Sequence, residues 1–352
     1  MNNGLFIVLY DDDSLSLYLE KGIYGFLMKP SETPSRNHFA VLADFACSTK
    51  TTDVFYFIKR RIVYAGTIDA NSLYENNTGC FYLNGNNSLM CRNAEAPLCW
   101  DESPRYTPTE NKGCFIVQET TKCQPYLLKI KKNDYTGKMI SSDDLYFNLG
   151  KYPFPLPTNS IQNMGFCVMT PGETSIAMNL IKSSKIKWSK KSENNIELYG
   201  EPKQFNNSLC NTNHQSEAEL EFNIIANPQK YLPFLNIEKY YFCRQIPISP
   251  FKPSQMDRAD ICLYDKFELL EDGSIPNIVI ELKKDKADYH AYAQVVRYLK
   301  WLKKITKEEV FEKITAYIVA PSFKINKNKI DDQYATKIKC WDLSESKFYE
   351  IK

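Results

Sequence analysis

Three charged residues, Asp260, Glu281 and Lys283, are spaced so that they could do chemistry together. Ile278-Val279-Ile280 reads as a buried strand, yet it runs directly into Glu281-Leu282-Lys283-Lys284. Charged side chains are seldom buried unless they are paired or bound to metal. Residues two apart on a strand share a face, so Glu281 and Lys283 project together. If the stretch carrying Asp260 pairs with this strand as a hairpin, Asp260 can lie opposite them. Two carboxylates can then hold a divalent cation, and the ammonium can orient, or help deprotonate, a water for attack on phosphorus. Leu282 turns to the core and leaves its carbonyl as a further oxygen donor. Gln294 and Tyr298 are four apart and share one face of the next helix, placed to brace the lysine or touch a phosphate.

The elements that must position these groups are legible in the last 140 or so residues. SEAELEFNIIANP (216–228) has a serine cap, acidic first-turn residues and an Asn-Pro stop, which predicts a helix. ADICLYD (259–265) and NIVIELK (277–283) are predicted strands separated by an acidic turn at Glu271-Asp272-Gly273. KADYHAYAQVVRYLKWLKKI (286–305) has apolar residues at helical spacing, and ITAYIVAP (314–321) is another buried strand. That order is α/β with a crossover. Upstream, LFIVLY (5–10) predicts a strand, SLSLYLEKG (14–22) a helix ended by Gly22, and VFYFIKRRIVYAGTI (54–68) a hairpin turning around Lys59, Arg60 and Arg61. Thr170 with Pro171 marks a further helix start. Residues 71–125 read as a Cys-rich insertion of irregular loops and 183–213 as a polar interdomain linker.

A lone Glu-x-Lys is unspecific, but the full ordered set is not. Asp260, Glu281-Leu282-Lys283 and Gln294-Val295-Val296-Arg297-Tyr298 together resemble the PD-(D/E)xK nuclease superfamily with its trailing QxxxY helix. From Ser216 to about Pro321 the chain is similar to the catalytic domain of NucS/EndoMS-type, RecB-like endonucleases. The shared features are a Glu-bearing helix stopped by Asn-Pro, a hydrophobic stretch ending in Arg244-Gln245, and the Asp and ELK strands. The resemblance implies a mixed sheet flanked by helices and a site loaded with Mg²⁺, for which Mn²⁺ substitutes. Asp260 and Glu281 would be its metal ligands, Lys283 would activate the nucleophile, and Gln294 with Tyr298 would support it. It also implies a helix glutamate completing the site, Glu217 by position, with Glu221 as its i,i+4 neighbour. The N-terminal half resembles PUA-like domains of the EVE and YTH type, β-rich modules that hold a base in an aromatic pocket. Tyr24, Phe57 and Trp100 are the candidate stacking rings, each also readable as a core aromatic. Lys187 and Trp188, in a run with Lys182, Lys185, Lys190 and Lys191, could follow a phosphate backbone or form a solvated linker.

Composition fits this picture. Of 352 residues, 43% are hydrophobic and 24% charged, as in a globular protein with real cores rather than a disordered chain. No apolar run approaches the ~20 residues of a membrane helix, and MNNGLFIVLYDDD lacks a basic region before its apolar run, so a cytoplasmic protein is expected. Eleven cysteines, an odd number, suit free thiols. Cys80, Cys91, Cys99, Cys114 and Cys123 crowd one segment, but without a CxxC knuckle or a nearby His they do not predict zinc. The expectation is a PUA-like recognition domain (1–183), a linker (184–213) and a nuclease domain (214–352). Together they would form a homodimeric DNA endonuclease of a restriction or defence system, with a modified base as one candidate for what is read. A NucS-like repair or mismatch nuclease, and a non-cleaving nucleic-acid-binding protein, are the competing readings.

Overall fold

The computed structural model describes residues 2–28, 36–48, 52–68, 81–83, 88–91, 123–149, 166–191, 205–208, 216–249, 257–326, 330 and 332–350. In chain order, the N-terminal lobe runs β1 (Gly4–Val8), α1 (Asp12–Lys21), β2 (Ile23–Met28), α2 (Arg36–Cys47), β3 (Asp53–Ile58) and β4 (Arg61–Ile68). It continues through β5 (Phe81–Leu83), β6 (Ser88–Cys91), β7 (Cys123–Lys131), β8 (Met139–Ser141), α3 (Ser142–Leu149), β9 (Phe166–Met169) and α4 (Pro171–Ser183). The short β10 (Phe205–Ser208) pairs with β6, which also pairs with β5.

The larger N-terminal sheet has seven strands in the order β2-β7-β4-β3-β1-β9, with β8 beside β4. Local chemistry sets its elements. The Asp11 side chain accepts from Ser14 N at 2.7 Å to start α1, and Gly22 ends it at φ 66° with its N–H on the Tyr18 carbonyl. The expected hairpin is β3–β4, turned by Lys59 and Arg60 at φ 45° and 63°, the paired positive values of a tight two-residue turn. The sequence expectation of a short β-rich unit missed α2, whose Phe39, Ala43 and Cys47 form a buried stripe at four-residue spacing.

The C-terminal lobe follows as α5 (Glu217–Ala226), β11 (Tyr240–Pro247), β12 (Arg258–Asp265), β13 (Ile278–Leu282), β14 (Lys286–Asp288), α6 (Tyr289–Ile305), β15 (Thr315–Ala320), β16 (Ser322–Lys324), β17 (Ile338–Asp342) and β18 (Lys347–Tyr349). Its main sheet has the order β11-β12-β13-β15-β17-β18. The core strands β13, β15 and β17 are parallel, and β11, β12 and β18 join antiparallel. The helix α6 makes the crossover between β13 and β15, starting at Asp288, whose side chain accepts from His290 N and Ala291 N. It buries Tyr292, Val295, Tyr298, Leu299 and Leu302 on one face. This is the mixed α/β sheet with helices that the sequence predicts.

The lobes are packed together rather than strung on a spacer. One cluster of buried apolar side chains runs from Leu5 and Tyr56 in the first sheet to Val279 and Trp341 in the second. Phe39 of α2 meets Phe222 of α5 with ring centroids 5.9 Å apart. Asn3 Nδ2 donates to the Phe242 carbonyl at 3.3 Å. Residues 184–191, expected to begin a linker, instead run along the N-terminal sheet, with Met139 N donating to Ile186 O and Trp188 N to Gly137 O. Apart from β10, the remainder of that stretch lies outside the described residues, as does most of the Cys-rich segment. Cys47, Cys167, Cys243, Cys262 and Cys340 are buried free thiols. Among the described residues, no helix is long and apolar enough to cross a membrane.

Candidate active site

Strand register places the first carboxylates. Strand β12 pairs antiparallel with β13 through Ile261↔Ile280, Cys262↔Val279 and Leu263↔Ile278. Extending that register by one residue sets Asp260 across from Glu281. The same extension of Arg244↔Ile261 and Ile246↔Ala259 sets Gln245 across from Asp260. Three adjacent strands thus contribute a row, Gln245-Asp260-Glu281, at one end of the sheet. Directly opposed residues lie on the same face of a sheet, so the hairpin expectation for Asp260 and Glu281 holds.

Each carboxylate is held from two sides. Asp260 Oδ2 accepts the Leu282 N–H at 2.7 Å, and Oδ1 accepts from Gln245 Nε2 at 3.1 Å. The Glu281 side chain is only 2% exposed; Oε1 accepts from Lys283 Nζ at 2.7 Å and Oε2 from the Tyr298 hydroxyl at 3.0 Å. Gln294 Nε2 donates to the Tyr298 oxygen at 2.6 Å, and the Arg258 carbonyl lies 2.7 Å from it as a second acceptor. The Gln-Tyr pair of α6 therefore fixes Glu281, where the spacing alone had suggested Lys283 or a phosphate.

The electrostatics favour a cation. Burial, with the neighbouring Glu281 and Glu221 carboxylates, pushes Asp260 well above the usual carboxylate range, against the pull of the Leu282 N–H and Lys283. Burial also raises Glu281, opposed by Lys283 and Tyr298. Lys283 is desolvated too, yet Glu281 and Asp260 outweigh that and raise its pKa, so it stays an ammonium at neutral pH. A group held charged suits orienting and charge stabilisation better than proton abstraction.

Two opposed carboxylates with one nearby ammonium leave an excess of negative charge that a divalent cation would relieve. The donors are oxygens alone, which suits a hard ion, and Mg²⁺ commonly takes only one or two carboxylates with water and phosphate oxygens completing its shell. The residues present therefore fit Mg²⁺ or Mn²⁺ at Asp260 and Glu281. Among the described residues no three His, Cys, Asp or Glu side chains converge as an all-protein cage.

The two helix glutamates separate clearly. Glu217, with a side chain 48% exposed, sits at the rim with Oε1 3.6 Å from Lys283 Nζ. Glu221 is buried behind the site, gripped by Arg244 through Nε–Oε1 at 3.0 Å and Nη2–Oε2 at 2.7 Å, and it also accepts from Gln245 Nε2 at 3.3 Å. Arg244 donates in turn to Asp44 Oδ1 at 3.1 Å. Sequence reading assigned no role to Gln245, Arg244 or Asp44. The signal available for the first two was Arg-Gln interrupting the apolar run YYFCRQIPI, polar residues late in an apolar strand as at Glu281.

Among the described residues, the candidate base-binding side chains do not converge. Tyr24 is 4% exposed, packed against Tyr18 at 5.3 Å and Tyr56 at 6.5 Å, so it is a core side chain with no open face for a base. Phe57 is half-buried against Phe6 at 5.4 Å. Trp100 lies outside the described residues. The Trp188 ring is covered by the Arg61 guanidinium at 5.0 Å, and its Nε1 donates to Ser16 Oγ at 3.1 Å. Lys187 is exposed and bridges to Lys138.

No family model matches the sequence. Over 107 residues, 30% of this chain, it is 37% identical to the Endonuclease NucS of Pyrococcus abyssi. That stretch is 34% of the relative, so the chain spans about a third of the length of the curated relative it matches. Two solved structures share weaker likeness. A repair endonuclease from Pyrococcus abyssi is 28% identical, covering 41% of this chain and 54% of that one with a TM-score of 0.25. A complex of EndoMS with double-stranded DNA is 21% identical, covering 44% and 50% with a TM-score of 0.24. Overlaps with such scores carry no weight for the fold, and the similarity that counts is the shared 107-residue sequence stretch with an endonuclease.

Proposed function

We propose that the chain is a divalent-cation-dependent endonuclease that hydrolyses phosphodiester bonds in DNA. The observation that carries this is the row of Asp260 and Glu281 with Lys283 at 2.7 Å from Glu281 and Tyr298 bracing its other oxygen. The sequence likeness to an endonuclease supports it. Mg²⁺ or Mn²⁺ bound at the two carboxylates would neutralise them and supply Lewis-acid activation of phosphate and water. Asp260 and Glu281 would hold the ion. Lys283 remains an ammonium beside Glu281 and orients the attacking water or a phosphate oxygen, while Glu217 borders it on the open side.

The N-terminal lobe's part in this reading is electrostatic. Exposed Arg60 of the β3–β4 turn, whose carbonyl accepts from Ser142 N, and exposed Lys187, which bridges to Lys138, lie beside β8, and Lys185, Lys190 and Lys191 of the same run are exposed too, while Lys59 is paired with Asp12 at 3.2 Å. Such cations track a phosphate backbone without reading sequence. With Tyr24 in the core, a PUA-like pocket for a modified base has no support from the described side chains. The likeness to Endonuclease NucS fits the NucS-like alternative at least as well as a restriction or defence role. Double-strand scission at one locus would call for two such centres, which a homodimer provides.

Incubation of the full chain with plasmid, phage and mismatched duplex DNA, in Mg²⁺ or EDTA, tests the reading. Cleavage should require the metal and fall by at least about 100-fold in Glu281→Gln and Lys283→Met, with circular dichroism unchanged. Wild-type rates in either variant would overturn it. Preferential cutting of mismatched duplexes selects the repair role, and preferential cutting of modified or unmodified phage DNA the defence role.

A further inference from the structure

The Arg244 cluster is buried at the seam between the lobes, where nothing in the proposed chemistry calls for charge. Side-chain exposure is 6% for Arg244, 5% for Asp44 and 4% for Glu221. Buried ion groups of this kind cost desolvation, and well-packed apolar residues commonly do as well or better for stability. Its connections suggest another use. Adjacent residues on a strand normally point to opposite faces, yet Arg244 and Gln245 both reach Glu221. Gln245 has φ 53°, a left-handed conformation that a residue with a long side chain seldom adopts. Such strain persists where the surroundings enforce it and clusters at functional sites. The kink turns the Gln245 amide so that its two N–H groups serve Glu221 Oε1 and Asp260 Oδ1 at once. With a carboxylate on each side, only the donor end of that amide can face them.

We propose that Asp44, on a helix outside the catalytic lobe, is a positioning residue for Asp260, acting through Arg244, Glu221 and Gln245, so that the metal-binding carboxylate is fully set only while α2 is docked. The inference rests on the nuclease reading above. Asp44 fixes the free end of the guanidinium, the guanidinium grips both oxygens of Glu221, and Glu221 shares the amide that holds Asp260. Outer partners of metal ligands typically change affinity or activity by 10–100-fold when removed.

Calorimetric titration of Mn²⁺ into the full-length protein, without DNA, tests it in wild type, Asp44→Asn, Gln245→Asn and the double variant. Asn at 245 tolerates the left-handed backbone but is one methylene short of bridging both carboxylates. Each single variant should weaken Mn²⁺ binding roughly tenfold or more. The double variant should be no weaker than the worse single one, because both cut the same chain, whereas independent structural defects multiply. If Asp44→Asn does not fold, Asp44→Glu, which keeps the charge but displaces it, replaces it in the cycle with the same expectation. Wild-type Mn²⁺ affinity at the substituted position 44, or multiplying effects, overturns the relay alone. A wild-type chain that binds no Mn²⁺ overturns the metal-site reading, and the relay with it.

Discussion

Tyr298 has one proton and two acceptors for it, the Arg258 carbonyl and Glu281 Oε2, while Gln294 donates to its oxygen. Tyr298→Phe keeps the ring volume in a fully buried position but removes the one donor that Glu281 Oε2 and the Arg258 carbonyl share. The expected cost is about 1–3 kcal/mol of stability, from buried acceptors left unsatisfied. Cleavage should fall by roughly 10–100-fold through misplacement of Glu281. Denaturant unfolding and plasmid nicking check the two effects separately, and a stability loss with full activity would remove Tyr298 from the site. At this scale the sequence was informative where spacing dictates geometry: a two-residue separation on a strand puts Glu281 and Lys283 on one face, and a four-residue separation on a helix aligns Gln294 with Tyr298. It was uninformative where residue type is ambiguous. An aromatic such as Tyr24 serves a base pocket and a core equally well, and only packing against Tyr18 and Tyr56 decides. Gln245 was hidden for a further reason, because its reach depends on a positive φ that no spacing rule anticipates.

The start of α4 joins the lobes. Thr170 and Glu173 form a reciprocal cap, Glu173 Oε2 accepting the Thr170 N–H at 2.9 Å and Thr170 Oγ1 accepting the Glu173 N–H at 3.2 Å. A Cβ built on Gly172 would lie 3.0 Å from the Gly273 carbonyl carbon and from Ser274 N in the turn before β13, so any other residue would make that turn's backbone give by a few tenths of an ångström. Glu173 is fully buried, and among the described residues its Oε1 has no hydrogen-bond partner. Burial raises its pKa from the ordinary 4.5 to about 8, although hydrogen bonding of the carboxylate to Thr170 pulls the other way. The folded state therefore keeps a proton that the unfolded chain has already lost. Stability from this group is intact below about 4.5, falls as pH rises toward about 8, and is level above it, a loss on the order of a few kcal/mol. Glu173→Gln retains the capping oxygen and cannot ionise, so the difference in thermal midpoint between variant and wild type should grow in the variant's favour from pH 5 to pH 8. A constant difference would show that Glu173 does not change protonation on unfolding in that window. Thr170-Pro171 announced this helix in the sequence, as Ser216 did α5. By contrast the helical stripe of Phe39, Ala43 and Cys47 in α2 is not anticipated by the sequence expectation of a β-rich unit.

Across the whole molecule, the composition shift toward alternating helices and strands after Ser216 was legible, and so was the α/β order of the C-terminal lobe. The relation between the lobes was not, because it depends on contacts between residues about 200 positions apart, such as Asp44 with Arg244 and Asn3 with Phe242. A polar stretch reads as a spacer until its backbone is seen pairing along a sheet, as residues 186–188 do. These contacts bear on how the chain unfolds. Domains joined by a free linker melt as separate units, whereas one apolar cluster running through both sheets, with a buried ion group at its seam, ties their melting together. Separating the lobes would uncover Phe39 and Phe222, leave Arg244 without Asp44 and break the Asn3–Phe242 hydrogen bond, and each of these opposes an intermediate with only one lobe folded. Differential scanning calorimetry of the full chain should therefore show a single transition whose calorimetric and van't Hoff enthalpies agree, and Asp44→Asn should lower its midpoint without splitting it. Two resolved transitions in the wild-type protein would mean that the seam is too weak to couple the lobes, and that docking of α2 is an equilibrium the protein can use rather than a fixed part of its fold.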